Sequence, residues 1–156
     1  MTSKTLGRLI QGLAIALATP FAILPLDFAH YLRMSNPEKY ASAYWPWIIF
    51  LWAVAVPCLA VLIYIMKVSQ AIERDKVFTN KTANWIKTSA ILLFAGTGFF
   101  FAGNVVFLLL KMSDLKIFQL SIFASMFALA LATLAAILSR YIVKAAVLQE
   151  ESEGTL

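Results

Sequence analysis

The sequence predicts an all-α protein, a four-helix transmembrane bundle with both termini cytoplasmic. Four apolar stretches, at approximately 9–32, 45–66, 88–110 and 117–138, each reach the length of about 20 residues that a helix needs to cross a bilayer. Apolar residues make up 62% of the chain and the mean hydropathy is +0.82, against roughly 45–50% apolar residues in soluble domains. The runs are also continuous. Barrel strands would be about 10 residues long and alternate apolar with polar. In a chain of 156 residues the spans and their connections account for a single integral membrane domain.

The first span follows Lys4 and Arg8, as a secretory signal would. Its apolar run continues past Pro20 and Pro25 to Leu32, beyond the 7–15 residues of a signal core, so retention as a helix is expected. Ala14, Ala18 and Ala22 offer it a narrow face. Asp27 and His30, three apart, share a helical face near its end, where an interfacial hydrogen bond is the expected role. Two such groups do not complete a zinc set, and no metal is expected. Asn36-Pro37 then signals a turn.

The second span enters through aromatic residues. Tyr31, Tyr40, Tyr44, Trp45 and Trp47 are expected in an outer interfacial belt, with Tyr64, Trp85 and Tyr141 near the inner boundary. Pro57 removes one helix hydrogen bond, a loss that membrane helices accommodate. Cys58 is the lone cysteine, so an internal disulfide is excluded. Past Met66 the helical pattern continues through Val68 and Ile72 to a turn at 75–78. Thr79 is then the expected N-cap, with Phe78 stapled against Ala83.

The third span carries Gly96 and Gly103 seven apart, beside Ala95 and Ala102. Asn104 is its main buried polar residue, alongside Thr97 and with Thr133 in the next span, and an interhelical hydrogen bond is its expected role. The fourth span has Ala124, Ala128, Ala132 and Ala136 at four-residue spacing, with Ser121 and Ser125 on an adjacent stripe. These small-residue faces serve packing within one bundle, or contact between copies in a homo-oligomer. Beyond the span, Leu138, Ile142, Ala145 and Leu148 keep a helical stripe. Cytoplasmic helical extensions are thus expected at 67–87 and 139–149. The acidic tail after Leu148 is expected either to fold back on Lys76 and Lys81 or to meet a partner.

Cation placement sets the orientation, since cytoplasmic loops retain Lys and Arg. Lys4, Arg8, Lys67, Arg74, Lys76, Lys81, Lys87, Arg140 and Lys144 fall on one side; Arg33, Lys39, Lys111 and Lys116 fall on the other. The richer side is expected to face the cytoplasm. The formal charge of +5 is explained by these helix ends and their attraction to anionic lipid, so direct nucleic-acid binding is not expected.

In the aromatic entry and proline of AYWPWIIFLWAVAVPCLAVLIYIMK, and in the IERDKVFTNKTANWIKTSAILL that follows, the chain resembles a family of bacterial membrane proteins known as domain of unknown function 2975. The resemblance covers nearly the whole chain, and its distinctive part is 44–93. Phe78 and Thr79 occupy the places where the family has a phenylalanine followed by Ser or Thr before the third-span helix. The tail LQEESEGTL keeps the family's acidic and apolar ending only loosely, in Glu150, Glu151, Thr155 and Leu156. The resemblance implies four membrane spans, no established chemistry, and, by gene neighbourhood, association with a small helix-turn-helix regulator.

No Ser-His-Asp set or redox cysteine pair supports catalysis, and no Asp, Glu, Lys or Arg lies near the centre of a span to support proton-coupled transport. No cofactor is expected. The leading expectation is a noncatalytic interaction protein of the bacterial cytoplasmic membrane, tethering or regulating a cytoplasmic transcription factor. Ile72, Arg74, Lys76, Phe78 and Leu148 are the candidate partner surface, with local packing and interfacial charge as the competing account of all five. The alternatives are an accessory subunit held in a larger membrane complex by its glycine and alanine faces, and a binder of lipophilic ligands.

Overall fold

The computed structural model describes residues 2–154, and the side chains of 20–22 are outside that description. The chain forms α1 (Ser3–Ser35), α2 (Pro37–Tyr40), α3 (Tyr44–Glu73), α4 (Asn80–Leu109) and α5 (Leu115–Gly154). All but α2 are long and apolar enough to cross a membrane. The protein is a multi-pass helical membrane protein.

The four long helices follow one another in a curved row that brings α1 and α5 to face each other across a gap. α1 packs on α3, α3 on α4 and α4 on α5, whereas α1 and α5, the first and last, make no extensive contact among the described residues. The accessible surface of 10310 Å² reflects this openness. A compact soluble chain of the same mass would expose roughly 7,800 Å². Much of the excess is apolar, as at Leu13 (64% exposed), Ile49 (66%) and Phe123 (70%), a surface suited to acyl chains rather than water. The start of α1, the end of α5 and the α3–α4 connection share one end of the row, here the terminal end. The α2 segment and the α4–α5 turn form the loop end.

Local chemistry sets the helix boundaries. Thr2 accepts from the Thr5 N–H, and Asn36 accepts from the Lys39 N–H while Pro37 opens α2. Thr79 caps α4 by accepting from the Thr82 N–H at 3.2 Å, as expected of it. Two turns close with a non-glycine residue in the left-handed region. Asp75 (φ 53°) lets the Lys76 N–H reach the Ala71 oxygen, and Lys111 (φ 60°) lets the Met112 N–H reach the Phe107 oxygen, both at 2.9 Å. Each crosslinks the last turn of a helix and reverses the chain.

The core at the loop end is aromatic. Trp47 is 1% exposed, with its ring centroid 4.9 Å from that of Phe28 and 4.6 Å from that of Phe107. Tyr40 and Leu32 are buried in the same cluster. Of the aromatic residues expected in an outer belt, Trp47 and Tyr40 are therefore turned into the core, whereas Tyr31 and Trp45 are exposed. Neighbouring rings cover the apolar bodies of Trp47 and Tyr40, and internal acceptors take their polar atoms: the Trp47 N–H donates to the Met112 oxygen at 2.9 Å, and the Tyr40 hydroxyl to Asp114 at 3.3 Å.

The small residues divide between contact and lipid. Gly96 lies against Pro57, where an added Cβ would sit 3.3 Å from the ring, and Gly103 lies against the ring of Phe50, which an added Cβ would overlap. Both glycines thus serve the α3–α4 contact. On α5 the buried stripe is Ser121, Ser125, Ala132, Ser139, Ile142 and Ala146; Ala128 is half-buried and Ala124 is exposed. In α1, Ala14 is buried and Ala18 half-buried. Ala22 and Pro20 fall outside the described side chains.

Three further expectations give way. Asn104 is buried, yet its amide donates to the Phe100 oxygen of its own helix at 2.8 Å, since the carbonyl one turn back lies within reach of a short amide side chain. Phe78 is 54% exposed and does not join the cluster that covers Ala83, which Ile86, Ile142, Val68 and Ala135 supply. The tail does not fold back: α5 continues unbroken through Gly154, so Glu150, Glu151 and Glu153 travel away along its axis. Thr155 and Leu156 lie outside the described residues.

Candidate functional site

At the terminal end, α1 is tied to the α3–α4 connection and α5 to the first turn of α4. The Ser3 hydroxyl donates to Asp75 at 2.5 Å, pinning the start of α1 to the turn after α3. Gly7 makes that approach possible, since a Cβ there would stand 2.8 Å from the Ser69 oxygen and would overlap the Glu73 side chain. From the other side, the Ser139 hydroxyl of α5 donates to the Ala83 oxygen of α4 at 2.8 Å. Ile142 of α5 packs in one cluster with Ala83 and Ile86 beside this bond.

The connection so framed presents Arg74, Lys76 and Phe78 as exposed residues, with Ile72 half-buried behind them in the last turn of α3. Leu148 is placed differently. It is 64% exposed on α5, beyond buried Ala146, so it belongs to the projecting helix rather than to the turn. The sequence-based set thus divides into a compact group on the connection and one apolar residue on α5. What pattern reading missed is the frame: Ser3, Gly7 and Ser139 are unremarkable small residues whose partners lie 56 to 72 positions away or across a helix pair.

Lysines are held over rings near this end. The Lys67 ammonium lies 5.3 Å from the Tyr64 centroid and 5.9 Å from that of Trp85, while Lys81 lies 5.5 Å from the same indole. Such contacts suit a boundary where the ring body is in lipid and the cation in water. Asp27 and His30 are both exposed on α1, well away from this group.

The row of helices leaves two clefts between α1 and α5. One, of about 500 Å³, is lined almost wholly by apolar side chains, including Ile10 and Leu17 of α1, Val61 and Ile65 of α3, and Phe127 and Leu131 of α5. The other, of about 640 Å³ at the loop end, mixes Lys39, Lys116, Tyr40 and Asp114 with apolar residues. A smaller crevice of about 230 Å³ is bounded by Pro57, Gly96, Thr97 and Ser125. Among the described residues, no three His, Cys, Asp or Glu side chains are grouped to hold a metal ion.

A family model for proteins of unknown function, DUF2975, matches residues 27–156. The chain belongs to this family. The match takes in only the end of α1 from Asp27 onward but all of the α3–α4 connection, so Ile72, Arg74, Lys76 and Phe78 lie inside the DUF2975 region, whereas Ser3 and Gly7 precede it. No curated protein and no solved structure matches the chain.

Proposed function

We propose that this protein is a noncatalytic membrane anchor that holds a cytoplasmic protein partner, a helix-turn-helix transcription factor, on the α3–α4 connection. One observation carries the reading. A turn closed by Asp75, capped by Thr79 and pinned by Ser3 nevertheless keeps the Phe78 ring more than half exposed, shortly after the exposed cations Arg74 and Lys76. A ring held out on a rigid frame loses little conformational freedom when a partner covers it, which favours association. The flanking cations select an acidic rim and speed encounter.

Orientation supports the same reading, because the cation-rich ends of the helices are those expected in the cytoplasm of a bacterial inner membrane protein. The test is recovery of the partner from native membranes by affinity purification in mild detergent. Arg74→Glu with Lys76→Glu, and separately Phe78→Ala, should lower recovery of a soluble regulator while membrane insertion is unchanged. Undiminished recovery with both variants overturns this surface.

The second reading, a binder of lipophilic ligands, is favoured by the apolar cleft of about 500 Å³, a volume in the range of ligand sites. A small molecule that copurifies with the chain and is lost on Leu131→Arg substitution would support it.

A further inference from the structure

We propose that the loop-end cleft between α1 and α5 is a binding site for an anionic glycerophospholipid, its phosphate held by Lys39 and Lys116 and one acyl chain lying on Phe28, Leu32, Ile117 and Leu120. The cleft of about 640 Å³ is lined by all six residues. It exists because α1 and α5 face each other at the ends of the curved row and, among the described residues, make no extensive contact. In a bilayer such a gap is filled by lipid.

The lining decides which lipid. Ser35, Asn36, Lys39, Asp114 and Lys116 gather where α1 ends and α5 begins, while Phe28, Leu32 and Leu120 lie further along those two helices, which is the division between headgroup and chain. Lys39 and Lys116 set two cations against one acid, Asp114. That carboxylate is already engaged: one oxygen accepts from the Ile117 N–H at 2.9 Å and the other from the Tyr40 hydroxyl at 3.3 Å. Lys116 stands in the first turn of α5, where the helix dipole already presents positive charge and a cation is disfavoured. An anion at the rim relieves both. A free phosphate would satisfy the lysines but leave the apolar wall in contact with water, so the two halves of the cleft together select an amphiphile.

The test is native mass spectrometry of the full chain in mild detergent with equal amounts of dioleoylphosphatidylglycerol and dioleoylphosphatidylcholine. The anionic lipid should be retained in preference by roughly tenfold, given the attraction of two lysines. Lys39→Gln with Lys116→Gln should bring that ratio close to one, Lys39→Arg with Lys116→Arg should keep it, and Lys76→Gln with Lys81→Gln at the opposite end should leave it unaltered. Equal retention of both lipids by the unmodified chain overturns the proposal, as does loss of the preference in the Lys76 and Lys81 variant. Displacement of the lipid by inorganic phosphate alone would also overturn it, since the apolar half would then contribute nothing. Should the glutamine variant not fold, a photoactivatable phosphatidylglycerol decides on the unmodified chain: labelling within 28–40 and 114–120 supports the site, and labelling only elsewhere rejects it.

Discussion

The indole N–H of Trp47 donates to the backbone oxygen of Met112 across 2.9 Å, joining the first turn of α3 to the turn between α4 and α5. The ring is buried between Phe28 and Phe107, so Met112 is the partner the donor meets. This one side chain ties α1, α3 and the α4–α5 turn into a single unit at the loop end. Replacing Trp47 by Phe keeps most of the ring contacts and deletes the bond. The expected loss is about 1–2 kcal/mol in denaturant titration of the micellar protein, and an unchanged midpoint would mean that the bond contributes nothing net.

Lys111 supplies a second test of the same turn. Its φ of 60° is a conformation that costs an L-residue about 1 kcal/mol and glycine almost nothing. Lys111→Gly should therefore raise the unfolding free energy by about that amount. A decrease would show that the lysine side chain itself stabilises the turn.

Gly103 and Gly98 lie on one helix with opposite surroundings. A Cβ at Gly103 would overlap the Phe50 ring, whereas one at Gly98 meets nothing within 4 Å. Gly103→Ala should destabilise by about 1–3 kcal/mol through forced repacking. Gly98→Ala should be neutral or stabilising by about 0.5–1 kcal/mol. Thermal unfolding of the two variants side by side checks the contrast, and equal effects would contradict the assigned α3–α4 contact.

Ser139→Ala removes the hydroxyl that reaches the Ala83 oxygen. Interhelical bonds of this kind average roughly 0.6 kcal/mol in membranes, so global stability should fall only slightly. The local effect is the more sensitive readout. Hydrogen exchange should quicken at amides 140–148, where α5 rests on the start of α4, and should stay as it was near Ser121.

The elements were legible because their causes are local. Continuous apolar runs, Thr79 before a helix and the stripe after Leu138 each report a backbone preference over a few residues. The candidate site was legible only in part. Phe78, Arg74 and Lys76 stand out as an aromatic residue and two cations at the end of a span, but nothing near them in the chain reveals that Ser3, Gly7 and Ser69 build the support. The staple expected of Phe78 fails because Ile142, more than 50 positions later, packs against Ala83 in the same cluster.

The sequence by itself determined four membrane-spanning helices, their approximate limits and the small faces available for contact, since hydropathy and propensity act along the chain. Only the tertiary structure decided which faces are used. Seven-residue spacing places Gly96 and Gly103 on one side of a helix, but their roles depend on Pro57 and Phe50 arriving opposite them. Ala124 and Ala132 have the same composition and spacing, yet one faces outward and the other is fully buried against a neighbour. Lipid rewards neither outcome in advance, because it solvates an alanine as well as another helix does. The row of helices, and the clefts it leaves between α1 and α5, follow from close fit among side chains far apart in sequence.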